Sequence, residues 1–403
     1  MQKKLIALAV AGLASTGAFA QANVTVYGVA DATFDVVKVS GDAVNDLGNT
    51  TRVSTNSSYI GFKGAEALGN GLTAVFQFES GVGFDNAGTL GATRDSFVGV
   101  AGGFGTVVLG KLTGPTRALG GAVDVNSGAT SIGANSALLG KLGGYLTSGT
   151  TISQSGATAG DVVTKACAAS STCVSPFDDR WNNAIAYVSP TYAGLNATVA
   201  YVANENKAFN GLGPQNTSGY DVGLKYANGP AMAAVTYNKV RFGDNFDTRA
   251  GDFRIGGTYN FGVASVRALF DRVRLDMDGA RVTQNVFGLG GTFNVTPAGK
   301  LIGQFYMAND LKADGSSAKD TGAKLFEIGY EHSLSKRTIL KAVYAHLNND
   351  KNASYDFGIN AVGTNAYAYG SPTSVGSGAA AVAAGDTIGG TLQGIQIGLR
   401  HSF

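Results

Sequence analysis

Histidine occurs only three times, at His332, His346 and His401, and cysteine only twice. Three scattered histidines make no metal cluster, and "CAASSTC" (167–173) has neither redox nor zinc spacing. Past the N-terminal segment the chain has no run of ~18 or more apolar residues, which excludes a transmembrane helix. Charge of one sign is lacking too. Without Lys3 and Lys4 the 30 basic residues become 28, equal to the 28 acidic ones, so there is no global field for nucleic acid. The glycine-rich stretches "AGGFG" and "LGNG" lack the Lys-Ser/Thr that phosphate cradling requires and read as turns. No serine, histidine and acid constellation stands out, so neither catalysis nor a cofactor is expected. Proline is rare, at 7 residues, against 59 glycines, 21 phenylalanines and 16 tyrosines. That balance excludes collagen and flexible linkers, and favours many short strands joined by tight turns.

The first residues read as a secretory signal. Lys3 and Lys4 precede the apolar "LIALAVAGLAS", and Ala18-Phe19-Ala20 supplies a small-x-small cleavage site, so residues 1–20 are expected to be removed. From Val24 onward period-2 alternation recurs. Val24, Val26, Ala30, Ala32, Phe34 and Val36 share one face, opposite Thr25, Tyr27, Asp31, Thr33 and Asp35. Tyr220, Val222, Leu224 and Tyr226 oppose Asp221, Gly223 and Lys225; Leu72, Ala74, Phe76 and Phe78 oppose Thr73, Gln77 and Glu79. Only strand spacing fits. Connections alternate between short turns (67–71, 101–105, 189–194, 227–230, 260–262, 296–300, 333–337) and longer polar ones (38–56, 81–93, 204–217, 241–250, 309–322, 348–389). One connection, from Leu112 to about Asp179, spans about 65 residues and is far longer than usual, which marks it as functional or disordered.

The periodic segments amount to about sixteen strands of roughly 9–11 residues, the length of a tilted membrane strand. Backbone groups left open in hydrocarbon cost several kcal/mol each, so such a sheet must close on itself. The expected fold is an all-β, antiparallel, up-and-down transmembrane barrel whose apolar exterior faces lipid and whose polar interior holds water. A secreted β-sandwich or β-helix also alternates. Alternating loop lengths and tyrosines bracketing the apolar stripes, such as Tyr220 and Tyr226, count against it. Glu79, Asp31 and Asp35 are expected to line the lumen.

Several stretches resemble the general porins of Gram-negative outer membranes, those of β-proteobacteria above all. They are "VTVYGVADATFD" (24–35), "GFKGAEALGNGLTAVFQFESG" (61–81), "RDSFVGVAGGFGTVVLGK" (94–111), "RWNNAIAYVSPTYAGL" (180–195), "YDVGLKYANGP" (220–230), "TPAGKL" (296–301), "SLSKRT" (333–338) and the terminal "GLRHSF". The resemblance implies a homotrimer of sixteen-stranded barrels set in outer-membrane lipid and lipopolysaccharide, each an aqueous diffusion channel for small solutes and ions. It also implies a third outer loop folded inward, and a last strand ending in Phe403 that the outer-membrane assembly machinery reads. Cys167 and Cys173 fall near the end of that loop and are expected to pair in an oxidising compartment, a ring worth only roughly 2 kcal/mol; two free thiols are the alternative.

In relatives, wall arginines face loop carboxylates across the constriction. Arg94 matches a wall arginine, Arg180 a second, and Lys111 stands where an arginine often begins the third loop. Tyr59 occupies the place of a further wall arginine. The acidic loop motif of enteric relatives is replaced by Pro115-Thr116-Arg117-Ala118-Leu119-Gly120-Gly121, leaving Asp124 as the nearest carboxylate. Lys111, Arg117, Lys141 and Lys165 outnumber Asp124 and Asp161, so a mild anion preference is expected. The alternatives are a substrate-specific porin, and a barrel whose exposed loops, 348–389 above all, serve as adhesin or phage receptor.

Overall fold

The computed structural model describes residues 24–41, 46, 48–85, 91–146, 151–154, 161–164, 173–203, 208–209, 214–215, 218–241, 248–277, 280–363 and 389–403. The expected signal segment and Cys167 lie outside them. Sixteen long antiparallel strands form a closed barrel. The first five are β1 (Thr25–Ser40), β2 (in two parts, Gly48–Thr55 and Tyr59–Gly69), β3 (Leu72–Gly81), β4 (Ser96–Gly102) and β5 (Gly105–Leu112). After the long third loop come β6 (Trp181–Val188), β7 (Leu195–Val202), β8 (Ser218–Asn228), β9 (Ala231–Arg241), β10 (Arg249–Asn260) and β11 (Ala264–Met277). The circuit ends with β12 (Ala280–Asn294), β13 (Gly299–Ala308), β14 (Ala323–Ser333), β15 (Thr338–Asn349) and β16 (Thr391–Ser402).

Each strand pairs with its neighbours in sequence, and β16 pairs with β1 from Val29↔Ser402 to Ser40↔Thr391. Gly28 and Phe403 exchange backbone hydrogen bonds of 3.1 Å in both directions, which completes the seam. No edge is left to face hydrocarbon, where each unpaired group would cost several kcal/mol. Alternation sorts the residues as the sequence requires. Phe34 and Val36 are exposed on the outer face, while Asp35 between them and Asp31 earlier on the strand are fully buried within the barrel. The tyrosines Tyr220 and Tyr226 stand outward with Leu224, and Asp221 points in.

β2 is broken at Asn56–Ser58, where Ser57 takes φ 55°. The Ser58 hydroxyl takes over local pairing: it accepts from Asp31 N at 2.8 Å and donates to Asp31 O at 3.0 Å. The break sends Asn56 into the lumen against Asp31 and re-aims the strand at Tyr59.

Two connections differ from expectation. β11 and β12 stay paired out to Met277↔Ala280, so their outer connection is short where the others are long. The alternation in this stretch simply runs beyond the apolar band, carrying charged residues on its outer face. The connection after β15, read as a long polar one and as exposed in the adhesin or phage-receptor alternative, has its residues 353–362 buried inside the barrel mouth. Tyr355 and Phe357 sit in the same apolar cluster as Leu119, Val123, Leu138 and Leu139 of the third loop. Tyr355 Oη donates to Gln284 at 2.6 Å, Arg52 donates to the carbonyls of Asn360 and Ala361, and Asn360 Nδ2 donates to Asn56 at 2.8 Å. Burial of two aromatic rings outweighs exposure of a polar-looking loop.

Candidate functional site

The third loop leaves β5 and opens with a helix, α1 (Pro115–Val123), whose proline at the first turn costs no intrahelical bond. Its start is latched to the wall. Thr116 Oγ1 donates to Asp221 Oδ1 at 2.6 Å, and Trp181 Nε1 donates to the other carboxylate oxygen at 3.5 Å. Gly114 lets the chain come this close, because a Cβ there would lie 2.0 Å from Asp221 Oδ2. Beyond the helix the loop is tied to most of the circumference. Ser127 Oγ donates to Glu331 at 2.6 Å, Ile132 N to Gln396 at 2.9 Å, Gly140 N to Asp271 at 2.8 Å and Gly143 N to Gln284 at 2.9 Å. The loop is thus held against β8, β11, β12, β14 and β16, and α1 looks across at β2–β6.

On that facing wall lie the residues singled out from the sequence. Arg94 pairs with Glu79 at 3.3 Å, and its guanidinium carbon lies 4.4 Å from the centre of the Tyr59 ring. Arg180 pairs with Asp95 at 2.8 Å. Both arginines keep a partly water-accessible side chain, 19% and 10% exposed. Arg117 projects from α1 towards the same place and makes no ion pair or hydrogen bond among the described residues. Burial pushes its guanidinium down to about 10, with the positive charges of Arg180 and Arg94 adding to the shift and Asp178 and Asp179 opposing it. Arg94 is lowered in the same way, by burial and then by Arg180. Burial works against the Asp95 carboxylate, but Arg180 and Thr113 hold it below the usual carboxylate range. The three guanidinium groups therefore feel one another; Glu79 and Asp95 are ion-paired with two of them, while Asp178 and Asp179 act on Arg117 without an ion pair to it.

Three sequence readings are corrected. Asp124 does not present a charge to the lumen: it is fully buried, accepting from Asn135 N at 2.7 Å, Asn126 N at 2.8 Å and Asn126 Nδ2 at 2.9 Å. It anchors the loop after α1, and burial raises its pKa. Lys141 is likewise buried and donates to Asp356 O at 3.3 Å, so it does not count towards the pore field. Lys111 pairs across the sheet with Ser96, two residues along from the outward-facing Leu109, and makes no ion pair among the described residues; it does not join the arginines. Lys165 lies outside the described residues. Cys173 is disulfide-bonded.

Other pore-side groups escaped the sequence reading because their partners are remote. Arg254, fully buried, makes a bidentate pair with Asp178 at 2.7 and 2.8 Å, a second with Asp252 at 2.8 Å, and lies 3.7 Å from Asp271. Asp31 is held by Lys341 at 2.7 Å and Arg400 at 3.0 Å. Inward parity flagged Asp31 as a lumen residue, but no local pattern names its cations.

A family profile described as Gram-negative porin matches residues 7–352. The outer membrane porin protein 32 of Delftia acidovorans is 31% identical over 414 residues, covering 100% of both chains. A major outer membrane protein P.IB of Neisseria gonorrhoeae is 30% identical over 249 residues, 60% of this chain and 59% of that one. Among solved structures, an anion-selective porin from Comamonas acidovorans superposes with a TM-score of 0.70 at 25% identity, over 95% of this chain and 100% of that one. The trimer form of OmpT of Vibrio cholerae shares the fold, with a TM-score of 0.60 at 13% identity over 95% and 99% of the two chains. A closed barrel of sixteen strands agrees with these relatives: the chain belongs to the Gram-negative porins and is a diffusion channel of the outer membrane, not an enzyme.

Proposed function

We propose that this channel favours small anions mildly, and that the preference is set where α1 faces β2–β6. The observation that supports this reading is the Arg117 guanidinium, which has no ion pair among the described residues, set opposite Arg94 and Arg180 while the wall carboxylates Glu79 and Asp95 are each already engaged. A fixed charge beside a narrow aqueous path raises the local concentration of the opposite ion and lowers that of its own sign. Solutes pass passively; the Tyr59 ring offers an aromatic face to the Arg94 guanidinium, 4.4 Å from its centre. An anion-selective porin among the solved relatives accords with this sign. The same reading takes the chain as a homotrimer joined through its first strands, with Cys167 and Cys173 stapling the far end of the third loop and Phe403 serving as the assembly signal. Reversal potentials across a planar bilayer with a salt gradient test it: a cation-selective or non-selective wild type rejects the assignment.

A further inference from the structure

On the lumen face of β1–β3 two tyrosines stand between two cations. Alternation sends Val26, Phe62 and Phe78 outward, so Tyr27 on β1, Tyr59, Gly61 and Lys63 on β2, and Gln77 and Glu79 on β3 face the lumen. Tyr27 pairs across the sheet with Gly61 and lies over it, since a Cβ at Gly61 would come within 2.6 Å of Tyr27 Cζ. The Tyr27 and Tyr59 rings meet edge against face, with 6.2 Å between centres and 76° between planes. Arg94 covers the Tyr59 ring at one end of the pair, and Lys63 Nζ stands 4.8 Å from the centre of the Tyr27 ring at the other. Tyr59 and Lys63 are four residues apart on β2, about 13 Å of strand. The carboxylate among them is already satisfied: Glu79 accepts from Tyr27 Oη at 2.9 Å and from Gln77 Nε2 at 3.2 Å, and pairs with Arg94 at 3.3 Å. Lys63 is half-buried, and neither its ammonium nor the Tyr59 hydroxyl makes an ion pair or hydrogen bond among the described residues.

We infer that this corner of the lumen is a binding subsite for arene carboxylates, solutes with a flat aromatic body and one negative group. The inference rests on the reading of the pore as open to anions and goes beyond it by naming which anions are retained. Where the resemblance expects a further wall arginine the chain has Tyr59, a ring face instead of a charge. Aromatic rings prefer edge-to-face or offset contact with centres about 4.5–7 Å apart, and two rings set near a right angle offer a third ring one face and one edge. Lys63 carries a point charge on a flexible stem. A carboxylate arriving from the lumen draws its ammonium off the Tyr27 ring, which uncovers that face for the arene of the same solute. The Tyr59 hydroxyl can donate to the carboxylate, and Arg94, although engaged with Glu79, keeps a partly water-accessible fork. A neutral sugar would stack on the rings and leave Lys63 in place. An aliphatic carboxylate of the same size would pair with Lys63 but find no electrostatic match in the rings. An anion with an aromatic body uses both.

The test uses the processed full-length protein in a planar bilayer at neutral pH, with chloride current titrated by benzoate, by its saturated counterpart cyclohexanecarboxylate and by uncharged benzyl alcohol. Wild type is expected to be half-blocked by benzoate at a roughly fivefold lower concentration than by cyclohexanecarboxylate, the worth of one aromatic pair, and not to be blocked by benzyl alcohol in that range. Tyr59→Leu is expected to bring the two carboxylates to equality, while Tyr59→Phe keeps the preference. Lys63→Gln weakens block by both carboxylates by the same factor. Stepwise single-channel conductance shows that each variant is folded and open, and the wild-type comparison decides the question even where a variant does not insert. Equal block by benzoate and cyclohexanecarboxylate in the wild type overturns the inference, as does a preference that survives Tyr59→Leu or a block unmoved by Lys63→Gln. Reversal potentials in the same channels report separately on the ion preference. A cation-selective wild type rejects that reading, while a benzoate preference lost with Tyr59→Leu upholds this one.

Discussion

Arg117→Glu changes the pore charge by two units at one position without removing any hydrogen bond that holds the loop. In the wild type, Arg117 is the guanidinium of this site without an ion pair among the described residues, set beside Arg94 and Arg180, whose partners are Glu79 and Asp95. An ion passing at about 6 Å from a unit charge in water gains or loses ~0.7 kcal/mol, since 332/(80 × 6) is close to that value. Screening over ~8 Å at physiological salt roughly halves it, to about 0.3 kcal/mol. Anion and cation move in opposite directions, so the permeability ratio is about threefold in favour of anions. The variant puts a negative charge at the same position, and its own field inverts the ratio to about threefold in favour of cations. Reversal potential in a salt gradient reads the sign directly, and Arg117→Lys serves as control by keeping wild-type polarity. A glutamate variant that keeps the wild-type reversal potential refutes the assignment of the preference to this residue.

Three further outcomes follow from the geometry. Because Arg180 and Thr113 hold the Asp95 carboxyl below the usual range, only acidification beyond the ordinary carboxylate range adds a proton there, removes a negative charge beside Arg180 and raises the anion preference; Arg117, at about 10, loses its charge and the preference fades as pH rises past that value, and reversal potentials from acid to alkaline pH display both limbs. Arg254→Met leaves Asp178, Asp252 and Asp271 buried without their shared cation and is expected to cost about 3–5 kcal/mol, read as a lower urea midpoint in detergent. Tyr355→Ala removes a fully buried ring and its bond to Gln284, freeing the last outer loop from the mouth; single-channel conductance is expected to rise and to become noisier, and an unaltered trace means that this loop does not restrict the path.

Much of the barrel was legible from one-dimensional pattern. The period of two in "VTVYGVADATFDV" put Phe34 outside and Asp35 inside, and the short turns marked one end of every hairpin. The exception, the tight link after Met277, arose because strand alternation continues past the membrane and hides the boundary. Within the site, Arg94 and Arg180 were named through the resemblance to wall arginines, and the structure sets each just ahead of a strand, ion-paired with Glu79 and Asp95. Arg117 was visible as a cation in the loop, but nothing local showed that it lacks a partner.

Charge counting along the loop failed for Asp124 and Lys141, since a side chain's worth depends on whether water or protein surrounds it. The same limit explains Tyr355 and Phe357, which sit in a polar-looking loop yet supply apolar surface to the third loop. Sequence alone determined closure, alternation and the faces of the strands, because backbone satisfaction in lipid and a two-residue period are local demands that every strand meets by itself. Only the tertiary structure decided which charges cancel across the lumen and which remain, because the partners Arg254 and Asp178, or Asp31 and Arg400, are brought together by barrel closure and loop infolding from distant parts of the chain.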